Sequence, residues 1–249
     1  MDFSISLQKK YMNRQENTKK MISINSICTH IHFGGEQALD FLNNLLISDL
    51  KNLTKDKFYF SALCNPKGRV IASFWLKIHE NDDISLVCAS NMLKQLQQFF
   101  IMRRFRLKIT IAQKQSQITL KNNTEIVIED SNKAIKLIET TPEIAKIHYY
   151  NYLFQQDLAW IDAENTEKFI PQHINYDKID KTMSFSKGCY PGQEIIARIK
   201  YLGTIKKRMM LLSDKNRDHL LATIEKDEVV SPIIKIEDNF FVQVVRRVN

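Results

Sequence analysis

The sequence predicts an α+β fold, and three observations carry that prediction. Short strand-like apolar runs recur along the chain, and helical periodicity interrupts them twice in the order β-α-β-β-β-α-β-β before residue 142. A denser helical and irregular stretch follows to residue 204, and after residue 205 strand-like runs return with no helical pattern among them. An order that mixes hairpins with helices excludes a wound parallel sheet.

Residues 1–20 are polar and carry five basic and two acidic side chains, which reads as a frayed arm leading into a first strand over Met21–Phe33. Gly34-Gly35 breaks that strand, and Ala38, Phe41, Leu42, Leu45 and Leu46 follow at helical spacing, with Glu36 suited to the positive end of the helix dipole. Strands are expected at Phe58–Cys64 and Val70–Ile78, joined by the Pro-then-Gly turn Asn65-Pro66-Lys67-Gly68. A strand at Ile84–Cys88 runs into Ser90, a good N-cap for a helix that buries Leu93, Leu96, Phe99 and Phe100 and ends at Arg103-Arg104. Strands at Leu107–Ala112 and Glu125–Glu129 and a short helix near Lys133–Ile138 complete the first part. The second part is helical near Ile144–Gln156 and irregular from Asn165 to Ser186. Four short runs end the chain (Arg208–Leu212, Leu220–Glu225, Ile233–Ile236 and Phe240–Val245), and they suggest a small antiparallel barrel or sandwich.

Composition narrows the function classes. With 249 residues, 44% of them hydrophobic and 26% charged, the chain is neither disordered nor of low complexity. No apolar run exceeds four residues, so no membrane-spanning helix is expected, and the N-terminus lacks the apolar core of a secretory signal. A cytoplasmic protein is the expectation. The net charge, 36 − 28 = +8, favours polyanionic partners and fixes no sequence preference. Glycine-cradled dinucleotide and P-loop motifs are absent, as are H-E-x-x-H and G-x-S-x-G. Cys28, Cys64, Cys88 and Cys189 are scattered without a C-x-x-C pair, which argues against a disulfide framework, a zinc ribbon or a ferredoxin-type cluster.

Three segments could carry chemistry. Cys28, His30 and His32 alternate on a strand and so share a face, an acceptable zinc or copper ligand set; with no fourth ligand marked, no metal is assigned. Arg103, Arg104, Arg106 and Lys108 could grip phosphates, or could instead cap a helix C-terminus, and no RNA-binding aromatic signature accompanies them. The segment Lys187-Gly188-Cys189-Tyr190-Pro191-Gly192-Gln193-Glu194 is the most informative. Its glycines and proline force an irregular loop that brings backbone close to something, and Ile195, Ile196, Ile199 and Leu202 then make one apolar helical face. Glu194 stands four residues before Arg198, the favourable orientation for an ion pair. Cys189 lies ahead of that helix and next to Lys187, and both features favour a thiolate.

Residues 187–194 resemble the K-G-C-[YF]-x-G-Q-E hallmark of the YgfZ family, folate-binding relatives of the glycine-cleavage T-protein, and all the fixed positions are present. Asn65-Pro66-Lys67-Gly68-Arg69 is similar to the family's P-K-G-[RK] turn, and Phe41–Leu50 is a weaker match to a helix ending in an acidic residue, here Asp49. The resemblance covers most of residues 22–245. It implies a ring-like α+β structure of T-protein type with a small C-terminal antiparallel β-barrel. It also implies a tetrahydrofolate-type ligand and support for assembly or repair of iron–sulfur enzymes, including those that thiomethylate tRNA. Cys189 would be the functional residue, and Tyr149, Lys187, Tyr190, Gln193 and Arg198 would contact folate. Tyr149 and Cys28 stand where family members carry tryptophans.

On this reading the chain divides into the arm (1–20), a folate-binding-like α+β part (21–141), a second part carrying the motif (142–204) and the barrel (205–249). The expected function is a folate-binding accessory factor, with iron–sulfur client enzymes as partners, tRNA contact through the basic surface and no membrane. The alternatives are a tetrahydrofolate-dependent one-carbon transferase and a direct tRNA-binding module. The resemblance also implies that true T-proteins carry a catalytic carboxylate just after the turn corresponding to Lys67-Gly68, and Arg69–Phe74 contains none, so aminomethyl transfer is not expected.

Overall fold

The computed structural model describes residues 21–130, 140–224 and 228–248. The polar arm, the helix expected near Lys133–Ile138 and Glu225 lie outside them. Five strands, β2 (Cys28–Gly34), β3 (Phe58–Cys64), β4 (Val70–Ile78), β5 (Ile84–Ala89) and β6 (Thr110–Lys114), form an antiparallel sheet in the order β3-β4-β5-β2-β6. Both faces are covered, which is why β4 reads as an almost unbroken apolar run instead of alternating.

On one face pack α1 (Ala38–Asn43) and α2 (Leu93–Arg104). Phe33 of β2 meets Phe100 of α2 edge to face at 5.0 Å, with Phe41 and Phe74 alongside. On the other face Phe60 and Trp75 meet Tyr176, Tyr152 and Trp160, which come from α3 (Pro142–Gln155) and the irregular chain after it. Aromatic pairs of this kind add about 0.5–1.5 kcal/mol each beyond burial, so these two layers carry much of the core. The helix α3 starts where Thr141 accepts from the Ile144 amide with Pro142 in its first turn.

Four expectations need correction. Met21–Phe33 is two strands: β1 (Met21–Ser23) pairs with β7 (Ser116–Lys121), and β2 belongs to the large sheet. Asn25 makes the break, its side chain bonding the Ser116 carbonyl and the Ile118 amide. The second correction is β7 itself, which pairs with β8 (Glu125–Asp130) as a hairpin and is masked in the sequence by its Ser, Gln and Thr content. Thirdly, Ser90 opens a 3-10 turn and does not cap α2, which begins at Leu93. Finally, Leu220 lies in a helix, α5 (Arg217–Thr223), because Asn216 accepts from the amides of Asp218 and His219 and so nucleates it.

The C-terminal part is an antiparallel sheet of β9 (Lys207–Asp214), β10 (Ile234–Ile236) and β11 (Asn239–Arg247) in the order β10-β11-β9. Buried amides fasten it to the chain after α3. Asn175, at φ +62°, donates to Asp157 and to the Met209 carbonyl. Asn165 bridges the carbonyls of Trp160 and Val230, and Gln243 donates to that of Leu158. Among the described residues no helix is long and apolar enough to cross a membrane.

Candidate functional site

The two segments singled out by sequence touch each other. A Cβ on Gly192 would lie 2.5 Å from the Asn65 carbonyl oxygen and 2.6 Å from the Gly68 Cα, and Gly192 has φ +81°. Gly68, at φ +72°, lies against Ile195 and Ile196. Only glycine permits both the handedness and the approach at Gly192. Gly192 is also the residue from which α4 (Gln193–Leu202) starts. The expected close backbone approach is thus real, and Gly192 alone of the two motif glycines makes it: a Cβ on Gly188 would meet nothing within 4 Å.

The chain leading into the motif is strapped beside the end of α1. The Ser184 amide donates to the Ile47 carbonyl, and Ser48 Oγ donates to that of Thr182. The ammonium of Lys187 then sits among the carbonyls of Asn43 (2.5 Å), Leu46 and Ser48 (2.6 Å). Burial pushes its pKa down to about 8. An ammonium has three N–H bonds, and three carbonyls take them, so none is left for the neighbouring thiol. Lys187 is a clamp between the motif and α1, with the Tyr190 ring 4.9 Å away. Tyr190 is buried and donates to the Ser184 carbonyl, and burial raises its pKa.

Cys189 is exposed at the tip of this braced loop. The other three thiols are buried, and desolvation holds them protonated, Cys88 at about 12 and Cys28 and Cys64 higher still. Gln193 is half-buried at the start of α4, where its amide bonds the Tyr190 carbonyl. Arg198 is exposed and paired with Glu194 at 2.9 Å, the expected i,i+4 contact.

Tyr149 lies elsewhere. It is wholly buried in the aromatic layer, accepting from Trp75 Nε1 at 3.1 Å, edge-on to Trp160 at 5.3 Å and in contact with Cys28. The two departures from the family tryptophans therefore meet each other in the core. Of the expected folate contacts, Lys187, Tyr190, Gln193 and Arg198 lie in one segment, whereas Tyr149 comes from α3 and is wholly buried. Trp75, the donor to Tyr149, also lines an open cleft of about 300 Å³ together with Phe58, Tyr152, Asp56 and Glu125.

The Cys28, His30 and His32 stripe has its polar atoms engaged within the protein. His30 lies 2.8 Å from both Ser116 Oγ and Ser85 Oγ, and His32 is 3.2 Å from Asp83. Among the described residues no group of three His, Cys, Asp or Glu side chains is placed to hold a metal ion. Beyond α4, Arg208 makes a two-pronged ion pair with Asp177, and His173 is held below its ordinary pKa by burial and by Lys207, Arg69 and Arg208.

One carboxylate at the site has no signature in the sequence. Glu167, at φ +58°, reaches the Asn65–Arg69 turn from the irregular segment: its Oε1 accepts from Asn65 Nδ2 at 3.0 Å, and its amide bonds the Val70 carbonyl. A separation of about a hundred residues leaves no local signal for it.

No family model matches the chain. It is similar to the tRNA-modifying protein YgfZ of Blochmanniella pennsylvanica, 26% identical over 230 residues, covering 74% of this chain and 69% of that protein. It is 24% identical to the tRNA-modifying protein YgfZ of Sodalis glossinidius over 227 residues, with the same coverage. An uncharacterized protein of Haemophilus influenzae is 29% identical over 203 residues, covering 73% of this chain and 69% of its own length. Among solved structures, the glycine cleavage system aminomethyltransferase T from Bartonella henselae matches with a TM-score of 0.51 over 90% of this chain and 84% of that one, at 9% identity, a likeness of fold alone. The resemblance carried by Lys187–Glu194 is thus borne out, with YgfZ proteins as relatives in sequence and a T-protein-like α+β fold beneath them.

Proposed function

We propose that this chain is a cytoplasmic accessory factor for tRNA modification that supports iron–sulfur enzymes, with the Cys189 thiol as its reacting group. The observation that carries the reading is the contrast among the cysteines. One thiol is exposed on a loop braced by Gly192 and Lys187, and three are buried and protonated. The similarity to proteins named for tRNA modification supports the context. A lone cysteine does not hold a cluster, so the cluster belongs to the client. Cys189 instead suits thiol exchange: its thiolate attacks one sulfur of a client disulfide, forms the mixed disulfide, and releases the other sulfur as a thiolate. A folate-type ligand belongs to this reading through the fold, and no step is assigned to it.

The test is tRNA thiomethylation, read by nucleoside mass spectrometry in cells that lack the chain's counterpart. Wild type and Cys64→Ser should restore the modified nucleoside, and Cys189→Ala and Cys189→Ser should not. Restoration by Cys189→Ala would remove the thiol from the function.

Glu167 supports a second reading, a one-carbon transferase, since it supplies at the Asn65–Arg69 turn the kind of group that Arg69–Phe74 lacks. Turnover of a tetrahydrofolate one-carbon donor by the purified protein, abolished in Glu167→Gln, would favour it over the accessory role.

A further inference from the structure

From Ile84 to Thr124 the sequence contains no Asp or Glu and seven Lys or Arg residues. In the structure four of these cations, Arg103, Arg104, Arg106 and Lys108, gather where α2 ends, and among the described residues no carboxylate pairs with any of them. The sequence shows no RNA-binding aromatic signature around this block, but the fold exposes the one ring that lies within it. Phe105 closes α2 at φ +48°, ψ −114°, an unusual backbone for a bulky residue, and its side chain is 80% exposed.

The turn that presents it is held firmly. A Cβ on Gly35 would lie 2.6 Å from the Lys108 carbonyl oxygen, Gln37 Oε1 accepts from the Lys108 amide at 2.9 Å, and the Leu107 amide bonds the Arg104 carbonyl. Guanidinium groups stand close to rings on both sides: Arg103 is 3.5 Å from the Phe99 centroid and Arg106 is 5.5 Å from that of Phe105. Beside Arg103 opens a cleft of about 470 Å³ floored by Phe41, Leu45 and Leu107. Asn44 offers an amide at its rim, and the one acid there, Asp40, is ion-paired with Lys51 at 2.7 Å.

We infer that this surface binds single-stranded RNA, with a base stacked on Phe105 and flanking phosphates held by Arg103, Arg106 and Lys108. An exposed ring set among cations that no carboxylate pairs is the combination that single strands use, since every base has a stacking face and every step brings a phosphate. An acidic protein segment would satisfy the cations but would gain nothing particular from a planar ring. The choice of RNA among polyanions rests on the accessory role in tRNA modification, whereas the surface itself rests on its geometry. Cys189 takes no part in it, so a titration of RNA and the cell assay of Cys189 can fail independently.

The experiment is fluorescence anisotropy with a labelled, unstructured 12-nucleotide RNA at several potassium chloride concentrations. Phe105→Leu, which keeps an apolar side chain and removes the ring, should weaken binding by about five-fold to a hundred-fold and leave the salt slope unchanged. Arg103→Ala with Arg106→Ala should lower that slope by about 0.7 for each phosphate no longer neutralised. Phe105→Trp should retain affinity, and its exposed indole should be quenched by the RNA. Equal affinities for wild type and Phe105→Leu would overturn the inference, as would a polyglutamate peptide of matched charge binding as tightly as the RNA. No binding by the wild type at 100 µM protein and physiological salt would overturn it too.

Discussion

Replacing Gly192 by alanine should damage this protein out of proportion to the single methyl group added. The backbone there is left-handed at φ +81°, which costs a non-glycine residue about 1–2 kcal/mol. The new Cβ would also overlap the Asn65 carbonyl oxygen at 2.5 Å and the Gly68 Cα at 2.6 Å, both backbone atoms that cannot rotate away. Forced overpacking of this kind costs about 1–3 kcal/mol, so the sum is about 2–5 kcal/mol against a total stability of about 5–15 kcal/mol. For a chain of this size each kcal/mol lowers Tm by about 2–4 °C, so a drop of about 4–20 °C is expected in thermal denaturation followed by circular dichroism. Gly188→Ala is the internal comparison. It has no positive φ and nothing within 4 Å, so it should stay within about 0.5 kcal/mol of wild type. If the two variants melt together, the contact between the motif and the Asn65–Gly68 turn is not what the glycine serves.

Three further outcomes can be measured on the purified protein. An aromatic disulfide reagent should count one rapidly reacting thiol in the native chain and four after guanidinium, and native labelling of Cys28, Cys64 or Cys88 would contradict their burial. Lys187 titrates at about 8 in the folded chain, below the ~10.4 of an unfolded lysine, so between these values the unfolded state binds the extra proton. Stability should therefore rise across that window by up to about 3 kcal/mol, and Lys187→Met should abolish the slope; parallel urea midpoints from pH 7 to 10 would contradict it. Asp177→Asn leaves Arg208 without its two-pronged partner in a mostly buried setting and should cost about 1–3 kcal/mol. Its melting temperature should still lie below that of wild type in 0.5 M salt, because a buried pair is weakly screened.

Much of the first sheet is legible in the sequence because its strands are apolar and closely bounded. The edges of β3 and β4 match the expectation because a Pro-Gly turn separates them. The strand β7 is not legible: its buried residues, Ser116, Ile118, Thr119 and Leu120, gain their environment from strands and loops that no local window contains. At the site, the motif is readable as a loop before a helix, and the Glu194–Arg198 pair follows from spacing alone. The role of Lys187 does not follow, since adjacency in sequence suggests a partner for the thiol while the carbonyls it serves lie about 140 residues away. Phe105 shows the converse case. Its hydrophobic letter implies burial, whereas at the positive-φ end of α2 it stands exposed.

The buried amides of Asn165, Asn175 and Gln243 make the last part of the chain inseparable from the rest. Each reaches across to a main-chain carbonyl contributed by a distant stretch: Val230, Met209 and Leu158. Cutting the chain after residue 204 would remove the Met209 and Val230 carbonyls and the Gln243 amide, so Asn175, Asn165 and the Leu158 oxygen would each lose a bond worth about 0.5–1.5 kcal/mol while the apolar surface beneath the sheet is exposed. Truncated versions should therefore collect in inclusion bodies, and shuffling this tail between relatives should succeed only when both ends of each amide bridge travel together.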